Sequence, residues 1–229
     1  MKTIGLLGGM SWESTASYYK LINEGVNEKL GGLHSAKIFL CSVDFQEIEN
    51  FQRQNRWAES AELLAAAAKS VELAGADYIL LCTNTMHKVA PEIESAISIP
   101  LIHIADATAE CLRENGVKSV GLLGTRFTME QEFYKGRIME RYGINVLVPN
   151  ATQRDLVHGV IYDELCHGKI CDSSRQSFVE IIGSLYKAGA EAVILGCTEI
   201  GLLVTQSDVD VPLYDTTAIH AKVAIKKAI

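Results

Sequence analysis

The chain has 229 residues, 48% of them hydrophobic and 21% charged, with 21 Lys and Arg against 28 Asp and Glu for a net charge of −7. That is long enough to bury a core without disulfide or metal staples, and too apolar for disorder. The acidic balance excludes nucleic acid or an anionic membrane surface as the main partner, while leaving room for a small anionic ligand held by local donors.

The first apolar run, Ile4–Leu7, ends at Gly8-Gly9 and reads as a buried strand; Met1-Lys2-Thr3 leads straight into it, and the run is too short for the apolar region and cleavage site expected of a secretory signal. Residues 14–29 carry helical spacing through Tyr18, Leu21, Ile22 and Val26 and stop before Gly31-Gly32. Residues 37–43 form a second strand, and 56–73 a helix of strong formers closed by Gly75. Tyr78–Leu81 is a third strand, running into Cys82-Thr83-Asn84-Thr85. A helix over 87–97 follows, with Pro91 in its first turns, then a short strand at 100–104 and a helix over 106–114. No 18-residue apolar window occurs, because Glu62, Lys69 and Glu72 interrupt the alanine-rich stretch 61–76. The alternation predicts parallel strands with crossover helices.

The pattern then restarts. Lys118-Ser119-Val120-Gly121-Leu122-Leu123-Gly124 repeats Lys2-Thr3-Ile4-Gly5-Leu6-Leu7-Gly8, at an offset of 121 − 5 = 116. Residues 189–195 repeat 75–81 at 189 − 75 = 114, and Val211-Pro212-Leu213 repeats Ile99-Pro100-Leu101 at 212 − 100 = 112. Three matches in one order at nearly one offset predict two similar α/β domains with parallel sheets related by a pseudo-twofold. The expected division is 1–99 plus 213–229 for the first, with the last helix returning to it, and 100–212 for the second. Ligands of such sheets bind beyond the carboxyl ends of the strands, so the expected site is the cleft between the domains.

At the offset of 114, Thr83 aligns with Cys197, Asn84 with Thr198 and Thr85 with Glu199. Both loops sit where a buried strand ends and a helix is about to begin, a place where backbone N–H groups favour anions and activate a thiol. Two proton-handling groups facing one carbon from opposite sides suit a racemase or epimerase, and amide and hydroxyl donors on the carboxylate would stabilise the enolate-like charge. No lysine lies in a recognisable pyridoxal-phosphate setting, so a route without cofactor is expected. No CxxC or Cys/His cluster has zinc spacing, so no metal is expected.

The strand–Thr83-Asn84-Thr85–x–His87 segment, the Gly196-Cys197-Thr198-Glu199 segment and the N-terminal Gly5-Leu6-Leu7-Gly8-Gly9-Met10 loop together resemble the pyridoxal-phosphate-independent aspartate/glutamate racemases, most closely the L-aspartate/glutamate-specific, broad-specificity amino-acid racemases of bacteria. The resemblance spans the whole chain. It implies two α/β domains, a site between them, a pair of catalytic thiols, neither metal nor organic cofactor, and a homodimer acting on small amino-acid substrates; free thiols with no secretory signal make the cytoplasm the expected compartment. By motif, Cys197 takes the place of the second catalytic cysteine. Asn84 and Thr85 take that of the pair holding the substrate carboxylate. Thr198 and Glu199 follow the second thiol, and Met10 and Ser11 line the pocket. Gln52 closes a segment running from Asp44 that points to the substrate. Thr125 follows the repeated Gly-Leu-Leu-Gly, and Lys169 is a candidate for a distal carboxylate. The family's first cysteine falls on Thr83, so proton removal is expected to be fast only on the Cys197 face, with the L-enantiomer preferred.

Blander readings stand beside these. Cys41, Cys111, Cys166 and Cys171 read as core thiols, and alternation turns Cys82 away if Thr83 faces the ligand. Thr83 is also a candidate helix cap, and His87 either a structural residue or one that tunes a neighbour. His34, His103, His158, His167 and His220 lack a partner pattern. Gly8-Gly9 sits in neither phosphate-loop motif, so close backbone approach to a carboxylate is the better reading. A related cysteine-dependent isomerase or decarboxylase, of the maleate isomerase, hydantoin racemase or arylmalonate decarboxylase types, and a non-catalytic binder of small anions are the competing functions.

Overall fold

The computed structural model describes residues 1–229. They form two compact units, Met1–Ile104 with His220–Ile229, and Ala105–Ile219. The sequence places the boundaries a few residues earlier, at 100 and 213.

The first unit runs β1 (Ile4–Gly8), α1 (Trp12–Leu30), β2 (Ile38–Ser42), α2 (Phe45–Arg53), α3 (Trp57–Leu73), β3 (Tyr78–Leu81), α4 (Ala90–Ala96) and β4 (Leu101–Ile102). Its sheet has the order β2-β1-β3-β4, all parallel. Alternation along the strands divides the core in two. Leu7, Ile79 and Leu81 pack under Leu64, Ala68 and Val71 of α3 and Ile93 of α4. Ile4, Leu6, Tyr78 and Leu80 pack under Tyr18, Ile22 and Val26 of α1 and under Ala224 and Ile225 near the carboxyl terminus. The last helix is tied there because the Tyr78 hydroxyl, buried inside the sheet face, donates to the Ala224 carbonyl at 2.6 Å. The region expected as one helix over 87–97 divides into a 3-10 turn, Thr85–Val89, and α4. Pro91 stands at the start of α4, where a missing N–H costs nothing.

The chain passes into the second unit after Ile104, the first residue of α5 (Ile104–Glu114), and continues through β5 (Ser119–Gly124), α6 (Arg126–Glu130), α7 (Lys135–Tyr142), β6 (Asn145–Leu147), α8 (Ala151–Asp163), α9 (Asp172–Lys187), β7 (Ala192–Gly196), α10 (Ile200–Leu203) and β8 (Leu213–Asp215), and α11 (Thr216–Ala228) then leads back into the first unit. Its sheet is β6-β5-β7-β8, again all parallel, so the chain is an α/β protein with two four-stranded parallel sheets.

The repeat read in the sequence is a repeat of register. Gly5 pairs with Ile79, and Gly121 = 5 + 116 pairs with Val193 = 79 + 114. Ile79 pairs with Leu101, and Val193 pairs with Leu213 = 101 + 112. The two glycines at these positions share a cause. A Cβ on Gly5 would stand 2.5 Å from Cγ1 of Val71, and one on Gly121 2.9 Å from Cδ1 of Leu185, the residue equivalent to Val71 at 71 + 114. Each lets the helix preceding its unit's third strand lie close on the first strand of its sheet.

Candidate active site

The first unit gathers its candidate residues at the carboxyl ends of β1 and β3. After β1 the chain turns through Gly9, whose φ is +93° and whose Cβ position lies 2.1 Å from the Val43 carbonyl oxygen, so only glycine fits. The Gly9 N–H is held by the Thr15 hydroxyl at 2.8 Å, and the Ser11 side chain caps α1 by accepting from the Ser14 N–H at 3.3 Å. Ser11 is buried; Met10 is too, its side chain packed in the core beside Leu7 and Ile48.

After β3 the loop Cys82–Thr85 is held at successive backbone groups. The Cys82 N–H donates to the Leu7 carbonyl at 2.9 Å, and the Cys82 carbonyl accepts from the Ser14 hydroxyl at 2.9 Å. The Thr83 carbonyl is 2.8 Å from Nδ1 of His87, and the Asn84 carbonyl accepts from the His87 N–H at 3.1 Å. Thr83, Asn84 and Thr85 are all buried. Asn84 stands at the cap position of the 3-10 turn without a side-chain cap bond, so the capping role weighed for Thr83 is not the one seen. Cys82 packs with Leu80 and Tyr78 on the α1 face, and complete burial pushes its thiol far above the ordinary range. Gln52, on α2, is buried and reaches the 3-10 turn that follows this loop, its amide donating to the Met86 sulfur at 3.0 Å. The helix α2 has no counterpart among the elements read from sequence, although the Asp44 side chain, accepting from the Gln46 N–H at 3.0 Å, caps it in the ordinary way.

The second unit repeats the arrangement with different side chains. Thr125 follows β5 and caps α6, its hydroxyl accepting from the Thr128 N–H at 3.3 Å. Cys197 follows β7 and is 8% exposed. Its Sγ donates to Oε2 of Glu199 at 2.9 Å, and the Thr198 hydroxyl donates to the same oxygen at 2.7 Å. Burial, then the Glu199 carboxylate, then the nearby Cys166 thiol raise the Cys197 pKa well above that of a free thiol. The resting group is therefore a thiol whose proton points at a buried carboxylate. Cys166 lies in the turn Leu165–His167, which packs against α10. Lys169, just beyond, is exposed. No group of three His, Cys, Asp or Glu side chains is gathered closely enough to hold a metal ion.

The thiol, hydroxyl and amide groups singled out by the sequence thus collect at strand ends in each unit, and Thr83 and Cys197 hold matching places. Leu81 and Leu195 are register equivalents, and each candidate lies two residues beyond. Sequence reasoning left three features out: the anchoring of Thr83 by His87, the Ser14 bond to the Cys82 carbonyl, and the sharing of one Glu199 oxygen by two donors.

Over residues 7–224 the chain matches the family described as Asp/Glu/Hydantoin racemase. It is 54% identical to a Yersinia pestis protein assigned to the Asp/Glu racemases, with a TM-score of 0.93 and coverage of 100% of this chain and 99% of that one. An aspartate racemase homologue from Pyrococcus horikoshii OT3 is 36% identical, with a TM-score of 0.86 and coverage of 100% and 99%. The broad specificity amino-acid racemase RacX of Bacillus subtilis (strain 168) is 23% identical over 227 residues, 96% of this chain and 95% of RacX.

Proposed function

The chain belongs to the Asp/Glu/hydantoin racemase family and is an amino-acid racemase, and from that premise we propose that it inverts aspartate and glutamate at the α-carbon by proton transfer involving Cys197 and Thr83. The observation that carries this reading is the matched placement of the two residues beyond equivalent strands, one with a thiol hydrogen-bonded to a carboxylate.

In the proposed reaction the two loops meet one substrate from opposite faces. Glu199 is the acceptor through which the Cys197 proton can leave, giving a thiolate able to take the α-proton of the L-enantiomer. The carbanion's charge spreads onto the substrate carboxylate, which Asn84, Thr85 and the Thr125 and Ser11 loops would hold through hydroxyl, amide and backbone donors. Thr83 stands where the second proton must arrive. Its hydroxyl gives a proton to the far face while taking one from water, since a threonine alkoxide is far too basic to persist at neutral pH. Gln52 and Lys169 are the polar groups proposed for the distal carboxylate, and a homodimer in the cytoplasm is the proposed working form.

This asymmetry has a measurable form. L- and D-enantiomers have equal free energy, so kcat/KM must be the same in both directions, and the preference for L lies in kcat and KM taken separately. In D₂O the thiol should exchange the α-proton of L-aspartate with retention faster than Thr83 completes inversion. Cys197→Ala should lower both processes by roughly 10²–10⁴-fold, and Thr83→Cys should bring inversion closer to exchange. Identical kcat and KM for the two enantiomers, with no excess of exchange over inversion, would sink the assignment. Wash-in of label also separates a racemase from a cis–trans isomerase of a diacid, and turnover lost in Cys197→Ala with binding retained separates it from a non-catalytic binder.

A further inference from the structure

We propose that His87 is a positioning residue for inversion, a neutral imidazole locked in one tautomer that holds the Thr83 carbonyl and thereby aims the Thr83 hydroxyl; this rests on the racemase reading above.

The tautomer follows from the partners. A carbonyl oxygen can only accept, so the Nδ1 that lies 2.8 Å from the Thr83 oxygen must carry the proton. A backbone N–H can only donate, so the Nε2 that Ile104 N–H approaches at 3.2 Å must carry none. Both nitrogens are thus committed in the neutral ring, and a second proton would be driven against the Ile104 N–H. The ring is 1% exposed and is walled by His103, with ring centroids 4.5 Å apart. It has neither room nor solvent to turn.

The comparison with the second unit gives this bond a specific meaning. There the position equivalent to His87, at 87 + 114, is Gly201, and the Cys197 carbonyl is held by the backbone itself, accepting from the Ile200 N–H at 3.1 Å. In the first unit the equivalent carbonyl, that of Thr83, is taken by a side chain. The thiol-bearing loop is closed by its own backbone turn, whereas the threonine-bearing loop is closed by an imidazole that also grips the first residue of α5. A hydroxyl is a much weaker acid than a thiol and so has less driving force to offset poor aim, and a displacement near 1 Å at a reacting group costs roughly 100-fold.

Two variants divide the ring's functions. In His87→Asn the side-chain amide nitrogen falls near the Nδ1 position and can still donate to Thr83, while the bond from Ile104 is lost. In His87→Gln the side-chain oxygen falls near Nε2 and can still accept from Ile104, while the Thr83 carbonyl is released. With L-aspartate in D₂O, label is read separately in recovered L-aspartate, where it reports exchange at the Cys197 face, and in D-aspartate, where it reports inversion. The expected result is that His87→Gln lowers inversion by roughly 10-fold or more with exchange changed by less than about 2-fold, and that His87→Asn keeps inversion within about 3-fold of the native protein. A purely structural role would lower both processes together in both variants, and that outcome, or no loss of inversion in His87→Gln, overturns the proposal. Absence of exchange in the native protein would instead overturn the racemase reading beneath it. The native protein supplies a check that needs no variant: ¹⁵N NMR should show His87 neutral and protonated on Nδ1 between pH 6 and 8, and an Nε2-protonated ring overturns the proposal directly.

Discussion

Replacing His220 with Gln tests how the buried histidines of the first unit govern its stability in acid. His220 is fully buried. Its Nε2 lies 2.8 Å from the Ile102 carbonyl and so carries the ring proton, which leaves Nδ1 to accept from the Tyr18 hydroxyl at 2.8 Å. Protonating Nδ1 would require that hydroxyl to turn about and would place a charge 6.0 Å from the His87 ring centroid. Burial pushes the His220 pKa down to about 4, with the Ile102 carbonyl acting weakly in the other direction. In the unfolded chain the value is about 6.5. As pH falls through about 6.5 the unfolded chain takes up a proton that the folded unit refuses, so stability is lost with falling pH, and the loss is complete only below the folded value. A gap of about 2.5 units corresponds to roughly 3 kcal/mol in all, of which about 2 kcal/mol falls between pH 7 and pH 5. Both tryptophans, Trp12 and Trp57, lie in the first unit, so fluorescence during urea unfolding reports that unit. His220→Gln should be less stable than native at pH 7, having lost one or both hydrogen bonds, yet should lose about 2 kcal/mol less on going to pH 5. Subtracting one protein's pH-dependent loss from the other's cancels the titration of every other group. Equal losses, within about 0.5 kcal/mol, would refute the assignment of a neutral buried ring.

The remaining predictions address other parts of the fold. Alkylation of Cys197 by iodoacetamide, followed by mass spectrometry, should be slow at pH 7 and climb with pH past 9 without a plateau, because burial and Glu199 keep the thiol protonated; a plateau below pH 8 would contradict this. Gly9→Ala should destabilise the first unit by about 3 kcal/mol or more, since the new methyl group would meet the Val43 backbone at a positive φ; a thermal melt within a few degrees of native would refute it. Arg137 forms a two-pronged pair with Asp106 at 2.6 Å through each nitrogen, both side chains largely buried. Arg137→Lys should cost about 1 kcal/mol, and a double-mutant cycle with Asp106→Asn should return a coupling above about 0.5 kcal/mol.

What was legible in the sequence is what the backbone dictates locally. Gly5 and Gly121 recur because a helix must approach a strand at the same place in each unit, and that requirement leaves a mark in two short strings. The strand pairings follow at the same offsets. The edge strands β2 and β6 share register without shared residues, since Phe39 and Leu147 both pair with the repeated glycine yet face less crowded surroundings. The short helix α2 does carry apolar residues at helical spacing, Phe45, Ile48 and Phe51, but its nine residues fall short of the length over which periodicity separates a helix from a loop. The histidines were opaque for another reason. His220 meets a carbonyl 118 residues away, and His87 meets Thr83 only because a 3-10 turn intervenes at 85–89. No pattern of residue types reports such a bond; it depends on where elements distant in sequence come to rest.

Retention and divergence between the two units sort by what each position touches. Positions pressed between a strand and the helix that covers it, such as Gly5 and Gly121, and the strand register are held alike, since a change would move a whole helix. Beyond the strand ends the units differ: Gly9, confined to glycine by the Val43 backbone, against Thr125, Thr83 against Cys197, Thr85 against Glu199, His87 against Gly201. These differences compensate one another within each loop. Where the residue is a thiol, a carboxylate at the next position but one accepts its proton, and the backbone closes the turn. Where it is a hydroxyl, no carboxylate stands at the next position but one, and the loop carbonyl is held instead by the His87 ring. A duplicated frame with equivalent registers therefore presents two unlike proton donors at matched places. For the proposed reaction, the ratio of retained to inverted label in D₂O is the quantity that reads how differently Cys197 and Thr83 act.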